Sequence, residues 1–144
     1  MTRVNLVPPS ELADQHLFAE FRELKMIPKS LARSLRARGG AGVLKMIPPT
    51  FRLGQGHVSF FYNKGAYLRE RYWDIREELV KRRVNFDVTS AFDPDKTFET
   101  YSVLNGHYTP TPEALKLIRA RIAEKIAMKP DWYRQTNTTQ AKHE

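Results

Sequence analysis

The chain has 144 residues, 41% of them hydrophobic, no cysteine, and a net charge of +8 from 24 Lys+Arg against 16 Asp+Glu. A chain this long buries roughly two-thirds of its unfolded surface, so it is expected to fold as one domain without a disulfide or metal. The absence of cysteine excludes thiolate nucleophiles, disulfide scaffolds and Cys-ligated zinc or iron–sulfur centres, and no run resembles a secretion signal or membrane span, so a soluble, intracellular protein is expected.

In chain order, Pro8-Pro9 followed by Ser10 reads as a stop and an N-cap, with Glu11 in the first turn. Ala13, Leu17, Phe21 and Leu24 then share one apolar arc at helical spacing and predict a first helix with that face buried. Pro28–Arg38 reads as a basic continuation or a short extra helix with Lys29, Arg33 and Arg36 on one face. The glycines at 39, 40 and 42 and Pro48-Pro49 predict a long irregular crossing, and His57–Tyr62 reads as a strand without a clear partner.

A second long helix is predicted from about Ala66 to Val84, with Leu68, Tyr72, Ile75 and Leu79 buried and Glu77–Lys81 and Glu78–Arg82 one turn apart. A third opens at Thr111-Pro112-Glu113 (a cap, a proline at the first helical position and an acid) and ends before Pro130. Leu115, Ile118, Ile122 and Ile126 form its stripe. The class expected is all-α: a compact single domain of three main helices with a loop-rich middle, residues 1–134, and a flexible polar tail over 135–144.

The charge is unevenly placed. From Leu24 to Arg69 there is no acid but nine bases, which leaves 15 bases against all 16 acids elsewhere. A one-signed field of this kind attracts a polyanion, whereas solubilising surfaces mix both signs. The stretch also carries core-type residues such as Leu31, Phe51 and Phe60, which argues against a loose basic loop. Nucleic acid is the expected partner, rather than a membrane surface.

Opposite the apolar arc of the first helix, Gln15, His16, Arg22 and Glu23 surround the small Ala19, a pattern that suits either a pocket wall or a solvated face. On the third helix Arg121, Lys125 and Lys129 form a cationic ridge that phosphates would relieve. Trp132 and Tyr133 suit stacking on bases or pinning the C-terminus to the core. The four histidines form no short metal-ligand pair, and Gly54-Gln55-Gly56 is too short for a nucleotide fingerprint.

Several ordered blocks carry a resemblance. They include Met1-Thr2-Arg3-Val4-Asn5-Leu6, Ser10-Glu11-Leu12-Ala13-Asp14-Gln15-His16-Leu17 and Ala19-Glu20-Phe21-Arg22-Glu23-Leu24. They continue through Pro49-Thr50-Phe51, Leu53-Gly54-Gln55-Gly56-His57-Val58 and Phe60-Phe61-Tyr62 to Glu124-Lys125-Ile126-Ala127 and Pro130-Asp131-Trp132-Tyr133. Over about Met1 to Tyr133 the chain resembles the phage-type pyrimidine-dimer DNA glycosylase/AP lyases, the endonuclease V type that acts on ultraviolet-damaged DNA.

That resemblance implies an all-α domain whose N-terminal segment threads between the first and third helices. It also implies cleavage of the glycosidic bond of the dimer's 5′ pyrimidine, then strand scission by β-elimination, with base flipping and with no cofactor and no metal. Carried over, the nucleophile is the α-amine of Thr2 after removal of Met1, and Glu23 is the acid/base. Arg3, Gln15, His16, Arg22, Arg121 and Lys125 fall on positions that bind DNA or the lesion, and Trp132 and Tyr133 on the start of an aromatic C-terminal segment.

The chain departs from the family at Met26, where an arginine is common. Phosphate binding there passes to Lys25, with Lys29 and Arg33 on the basic stretch that follows. It departs again after Tyr133, where aromatic and basic residues give way to a polar run. The expected partner is double-stranded DNA bearing ultraviolet photoproducts or abasic sites, bound by a monomer. Two alternatives remain from the sequence: a basic DNA- or RNA-binding module without catalysis, and the same lyase chemistry on other lesions.

Overall fold

The computed structural model describes residues 3–136. Among these it is all-helical, without strands: α1 (Asp14–Leu24), α2 (Met26–Met46), the short α3 (His57–Phe60), α4 (Gly65–Lys81) and α5 (Pro112–Met128), with 3-10 turns at Pro9–Glu11, Thr97–Glu99 and Ser102–Leu104. α1, α4 and α5 are the three helices expected from the apolar stripes. Leu17, Phe21 and Leu24 of α1 and Leu68, Tyr72, Ile75 and Leu79 of α4 are buried in one core with Phe61, Phe98 and Leu104. On α5, Ile118 is fully buried and Leu115 and Ile122 pack against the core.

The start of α1 differs from expectation. Ser10 falls inside the 3-10 turn, and the α-helix begins at Asp14. The reason is Leu12, which is fully buried in extended backbone (φ −81°, ψ 141°) and so interrupts the helix. Arg82 satisfies the carbonyls this bend leaves over: its guanidinium donates to Pro9, Ser10 and Leu12 oxygens, to Asp14 at 2.9 Å and to Glu78 at 2.8 Å. The Glu78–Arg82 pair is therefore part of a buried clamp rather than a surface pair.

α1 and α2 are nearly continuous and part at Lys25. Pro28 has no N–H to give to the Leu24 carbonyl, and its ring crowds that oxygen, so the helix cannot run through. The basic continuation is longer than expected. Gly39, at φ 71°, kinks the helix, but the chain resumes helical form to Met46 because Val43 returns to the core. Between α2 and α5 irregular backbone is thus limited to 47–56, 61–64 and 82–111 with its two 3-10 turns, and the loop-rich part lies later than the sequence suggested.

His57–Tyr62 is not a strand. Gly54 (φ 69°) and Gly56 (φ 90°) turn the chain through left-handed backbone into α3, which puts His57 and Phe60 on one buried side and leads into buried Phe61 and Tyr62. α5 opens as expected, with the Thr111 hydroxyl accepting the Ala114 N–H at 3.1 Å.

The N-terminal segment is part of the interior. Val4, Asn5, Leu6 and Val7 are all buried. The Val4 N–H donates to His57 Nε2 at 2.9 Å, the Asn5 N–H to Glu20 Oε1 at 3.1 Å, and Arg71 donates to the Val7 carbonyl. The segment is held among α1, α3 and α4, a mode of threading that no periodic pattern encodes.

Candidate active site

A cleft of about 260 Å³ is bounded by the N-terminal segment, α1 and α5. Its wall is formed by Arg3 and Asn5 of the segment, His16, Ala19, Glu20 and Glu23 of α1, and Lys125 of α5. The helical periodicity of α1 explains the selection. His16, Ala19, Glu20 and Glu23 stand at i, i+3, i+4 and i+7, one stripe of one helix, and Ala19 leaves the space between them.

Glu23 is half-buried, and burial pushes its carboxyl above the ordinary range although Arg22 and Arg3 pull the other way. A carboxyl so placed exchanges protons nearer neutrality than an exposed one. Burial lowers His16, and Arg3 lowers it further; the ring lies 4.6 Å from that of Tyr133, and its buried Nδ1 has no hydrogen-bond partner among the described residues. Arg3 is itself lowered by burial and then by Arg121, so two guanidiniums share this end of the cleft. Arg121 Nε is buried without a partner among the described residues, and its nearest acid, Glu124, is 3.8 Å away. A buried guanidinium N–H without a partner, beside a second guanidinium, suits a phosphate, which would satisfy both charge and N–H groups.

The structure therefore brings together Arg3, His16, Glu23 and Lys125, with Arg121 beside Arg3. Other expected site residues lie elsewhere. Gln15 does not line the cleft: its Nε2 donates to the Trp132 carbonyl at 2.6 Å and its Oε1 accepts the Arg134 N–H at 3.0 Å. Arg22 is exposed, with its guanidinium 5.2 Å over the Phe18 ring. Lys25 donates to Ser90 Oγ at 2.6 Å and sits 5.1 Å over Phe21. Lys29 and Arg33 are exposed on α2. Trp132 is 56% exposed, edge-on to Tyr133 and 5.7 Å from Lys129 Nζ. Thr2 lies outside the described residues, as do 137–144 of the expected tail.

Two residues that shape the site lay unread in the helical patterns. Glu20 stands on the buried side of α1 and Arg71 on the buried side of α4, and they pair at 2.7 Å. An acid and a base, each inside the apolar arc of its own helix, is the signal that would have found them. His57 is the third: a lone buried histidine that fixes the Val4 N–H. No group of three or more His, Asp or Glu placed to hold a metal ion occurs among the described residues, and none of their helices is long and apolar enough to cross a membrane.

The α1 wall and the N-terminal segment both lie inside the stretch that a known family matches. Its profile, described as pyrimidine dimer DNA glycosylase, matches residues 1–91. That match spans the N-terminal segment, α1, the basic α2, α3 and all of α4, and it makes this chain a member of the pyrimidine dimer DNA glycosylase family.

Proposed function

We propose that the protein cleaves the glycosidic bond of the 5′ pyrimidine of a cyclobutane dimer through an imine with its N-terminal α-amine and then nicks the strand as an AP lyase, without a metal. The observation that carries this reading is Glu23: an acid of raised pKa on the wall of the cleft that also receives Arg3, the residue following Thr2 in the chain.

An α-amine ordinarily titrates near 7.7–8.0 against about 10.4 for lysine, so an amine supplied by Thr2 after removal of Met1 would be free base at neutral pH far more often than a lysine. The α-amine lone pair attacks the sugar C1′, the C1′–N bond to the pyrimidine breaks, and the base nitrogen takes up a proton while the cyclobutane ring keeps that base joined to its 3′ neighbour. The C1′–O4′ bond then breaks and the remaining amine proton passes to O4′, which opens the sugar ring and gives an imine between C1′ and the amine. The Glu23 carboxylate takes the C2′ proton now acidified by that imine, and the C3′–O bond breaks with the 3′ phosphate as leaving group. Water hydrolyses the imine and frees the amine. While the base departs, Glu23 also faces the positive charge that develops on the sugar.

Arg3, Arg121 and Lys125 hold the phosphates near the lesion without reading sequence. A dimer weakens its own stacking, so kinking the duplex and extruding a nucleotide cost less there than in intact DNA. Exposed Lys29 and Arg33 on α2 add phosphate contacts outside the cleft. The same chemistry acts on abasic sites, where the base is already gone. A monomer working inside the cell suffices for all these steps.

The test is borohydride reduction during turnover, with EDTA present, on dimer-containing and abasic duplexes. A covalent protein–DNA adduct is expected from a preparation whose mature chain begins at Thr2, and blocking the amine by acetylation should abolish it. Absence of any adduct from the processed protein overturns the mechanism and leaves a DNA-binding protein of the same family.

A further inference from the structure

The segment after α5 is zippered onto the front of α1. The Asp14 N–H donates to the Arg134 carbonyl at 2.6 Å, Gln15 spans the carbonyl of Trp132 and the N–H of Arg134, and Gln135 Nε2 donates to the Ser10 carbonyl at 2.6 Å. Thr136 then closes on Asp14 with both its N–H (3.0 Å to Oδ1) and its hydroxyl (2.6 Å to Oδ2). Asp14 is in turn braced from α4 by Arg82 at 2.9 Å. Gln15 thus spends one amide N–H and one lone pair of its oxygen on protein backbone.

What this zipper holds in place is aromatic. Between the carbonyl and the N–H that Gln15 grips lies Tyr133, whose ring rests 4.6 Å from the cleft residue His16 and edge-on, at 4.9 Å, to exposed Trp132. A surface tyrosine and tryptophan at a chain end lose conformational freedom only if something fixes their backbone. The polar residues that follow Tyr133 provide this, through Gln135 and Thr136.

We infer that Gln15 and Asp14 are positioning residues for lesion recognition: they anchor Trp132–Thr136 so that Tyr133 and Trp132 form a preset aromatic wall beside the cleft. The inference rests on the reading of the cleft as a dimer-processing site. A preset wall favours a bulky, unstacked lesion and matters little for an abasic site, which has no base to stack. The anchor therefore governs preference between substrates rather than the bond-making steps.

The test uses the full chain in a Trp73→Phe background, which leaves Trp132 as the only tryptophan. Gln15→Ala, Gln15→Glu and Thr136→Val are compared by Trp132 anisotropy and acrylamide quenching in the free protein, and by kcat and KM on dimer and abasic duplexes. Gln15→Ala is expected to lower Trp132 anisotropy and to reduce kcat/KM on the dimer about tenfold, with less than a twofold change on the abasic duplex. Gln15→Glu, which keeps the acceptor for Arg134, should recover part of both effects, and Thr136→Val should move both readouts the same way from the tail side. Unchanged Trp132 signals in Gln15→Ala, or a loss of dimer cleavage that Thr136→Val does not share, overturn the inference in favour of direct DNA contact. If the parent protein cuts no dimer, the proposed function falls, and the fluorescence arm alone decides whether Gln15 anchors the segment.

Discussion

Arg71 on α4 and Glu20 on α1 meet in a bidentate ion pair, Nε to Oε2 at 2.7 Å and Nη2 to Oε1 at 3.1 Å, with both side chains closed off from water. Burial alone would lower the arginine, but Glu20 more than reverses this and holds it above its ordinary value. Glu20 Oε1 also accepts the Asn5 N–H and, at 2.8 Å, Asn5 Nδ2, while Arg71 reaches the Val7 carbonyl. The pair is therefore the bracket that holds the N-terminal segment against two helices.

Removing one partner of such a pair leaves a buried charge uncompensated, a loss of about 3–5 kcal/mol. Arg71→Met should lower the unfolding free energy by that amount in urea titration. The double variant with Glu20→Gln should recover part of it, because no charge then remains buried and an acceptor for Asn5 is kept. A loss below about 1 kcal/mol in the single variant would show that water reaches the pair.

Glu23 should show opposite effects on stability and activity. Its folded pKa is raised by burial above the ordinary 4.5, so between those two values the folded state binds more proton than the unfolded one. Stability then falls as pH climbs through that window. Glu23→Gln cannot ionise, so it should unfold at a higher temperature than the parent at pH 7 and at the same temperature below pH 4. Strand cleavage should drop by about 10²–10⁴-fold while DNA affinity holds. A variant less stable than the parent at pH 7, or one still cutting at full rate, contradicts this.

The helices α1, α4 and α5 were legible because their burial follows periodicity: Leu17–Phe21–Leu24 and Leu68–Tyr72–Ile75–Leu79 each fall on one arc. The cleft was legible in part, since His16, Ala19 and Glu23 are neighbours on one helix, whereas Arg3 and Lys125 joined them only through the family resemblance. What sequence spacing did not carry was long-range. The late start of α1 depends on buried Leu12 and on Arg82 some seventy positions away, and the helical return after Gly39 depends on Val43 finding a core built by other segments. Gln15 looked like a cleft residue on a helical wheel, but Trp132 in the segment after α5, 117 positions later, takes an N–H of its amide.

Gly65 offers a test that no propensity scale anticipates. It opens α4, where alanine ordinarily gains close to 1 kcal/mol over glycine. A Cβ built there would lie 2.6 Å from Phe98 Cβ and 2.7 Å from its Cγ, and Phe98 is wholly buried. Either the helix or the ring must shift, so Gly65→Ala should destabilise the protein by about 1–3 kcal/mol in denaturant titration. A neutral or stabilising result would mean that the 3-10 turn at Thr97–Glu99 yields freely.

His57 sets the behaviour of the N-terminal segment in mild acid. Its Nε2 accepts the Val4 N–H, so Nδ1 carries the proton and donates to the Arg52 carbonyl at 2.9 Å; the ring is neutral in a single tautomer. Burial, and then the Arg3 charge, hold its pKa below 6.5, against the pull of the Arg52 hydrogen bond. Below that value the unfolded chain takes up a proton that the folded chain resists, so stability is full above pH 6.5 and is lost as pH falls through 6.5 toward the folded pKa. His16 is shifted in the same direction, by burial first and then by Arg3, and adds to the same slope. Unfolding free energies at pH 5.0–7.5 should therefore show a slope that His57→Gln reduces and a His16→Gln, His57→Gln double variant nearly removes, apart from carboxylates such as Glu23. A slope unchanged in His57→Gln would mean that the histidine takes up its proton without releasing Val4. Nitrogen-15 shifts of the ring at pH 7 report the tautomer independently, with Nδ1 protonated and Nε2 bare.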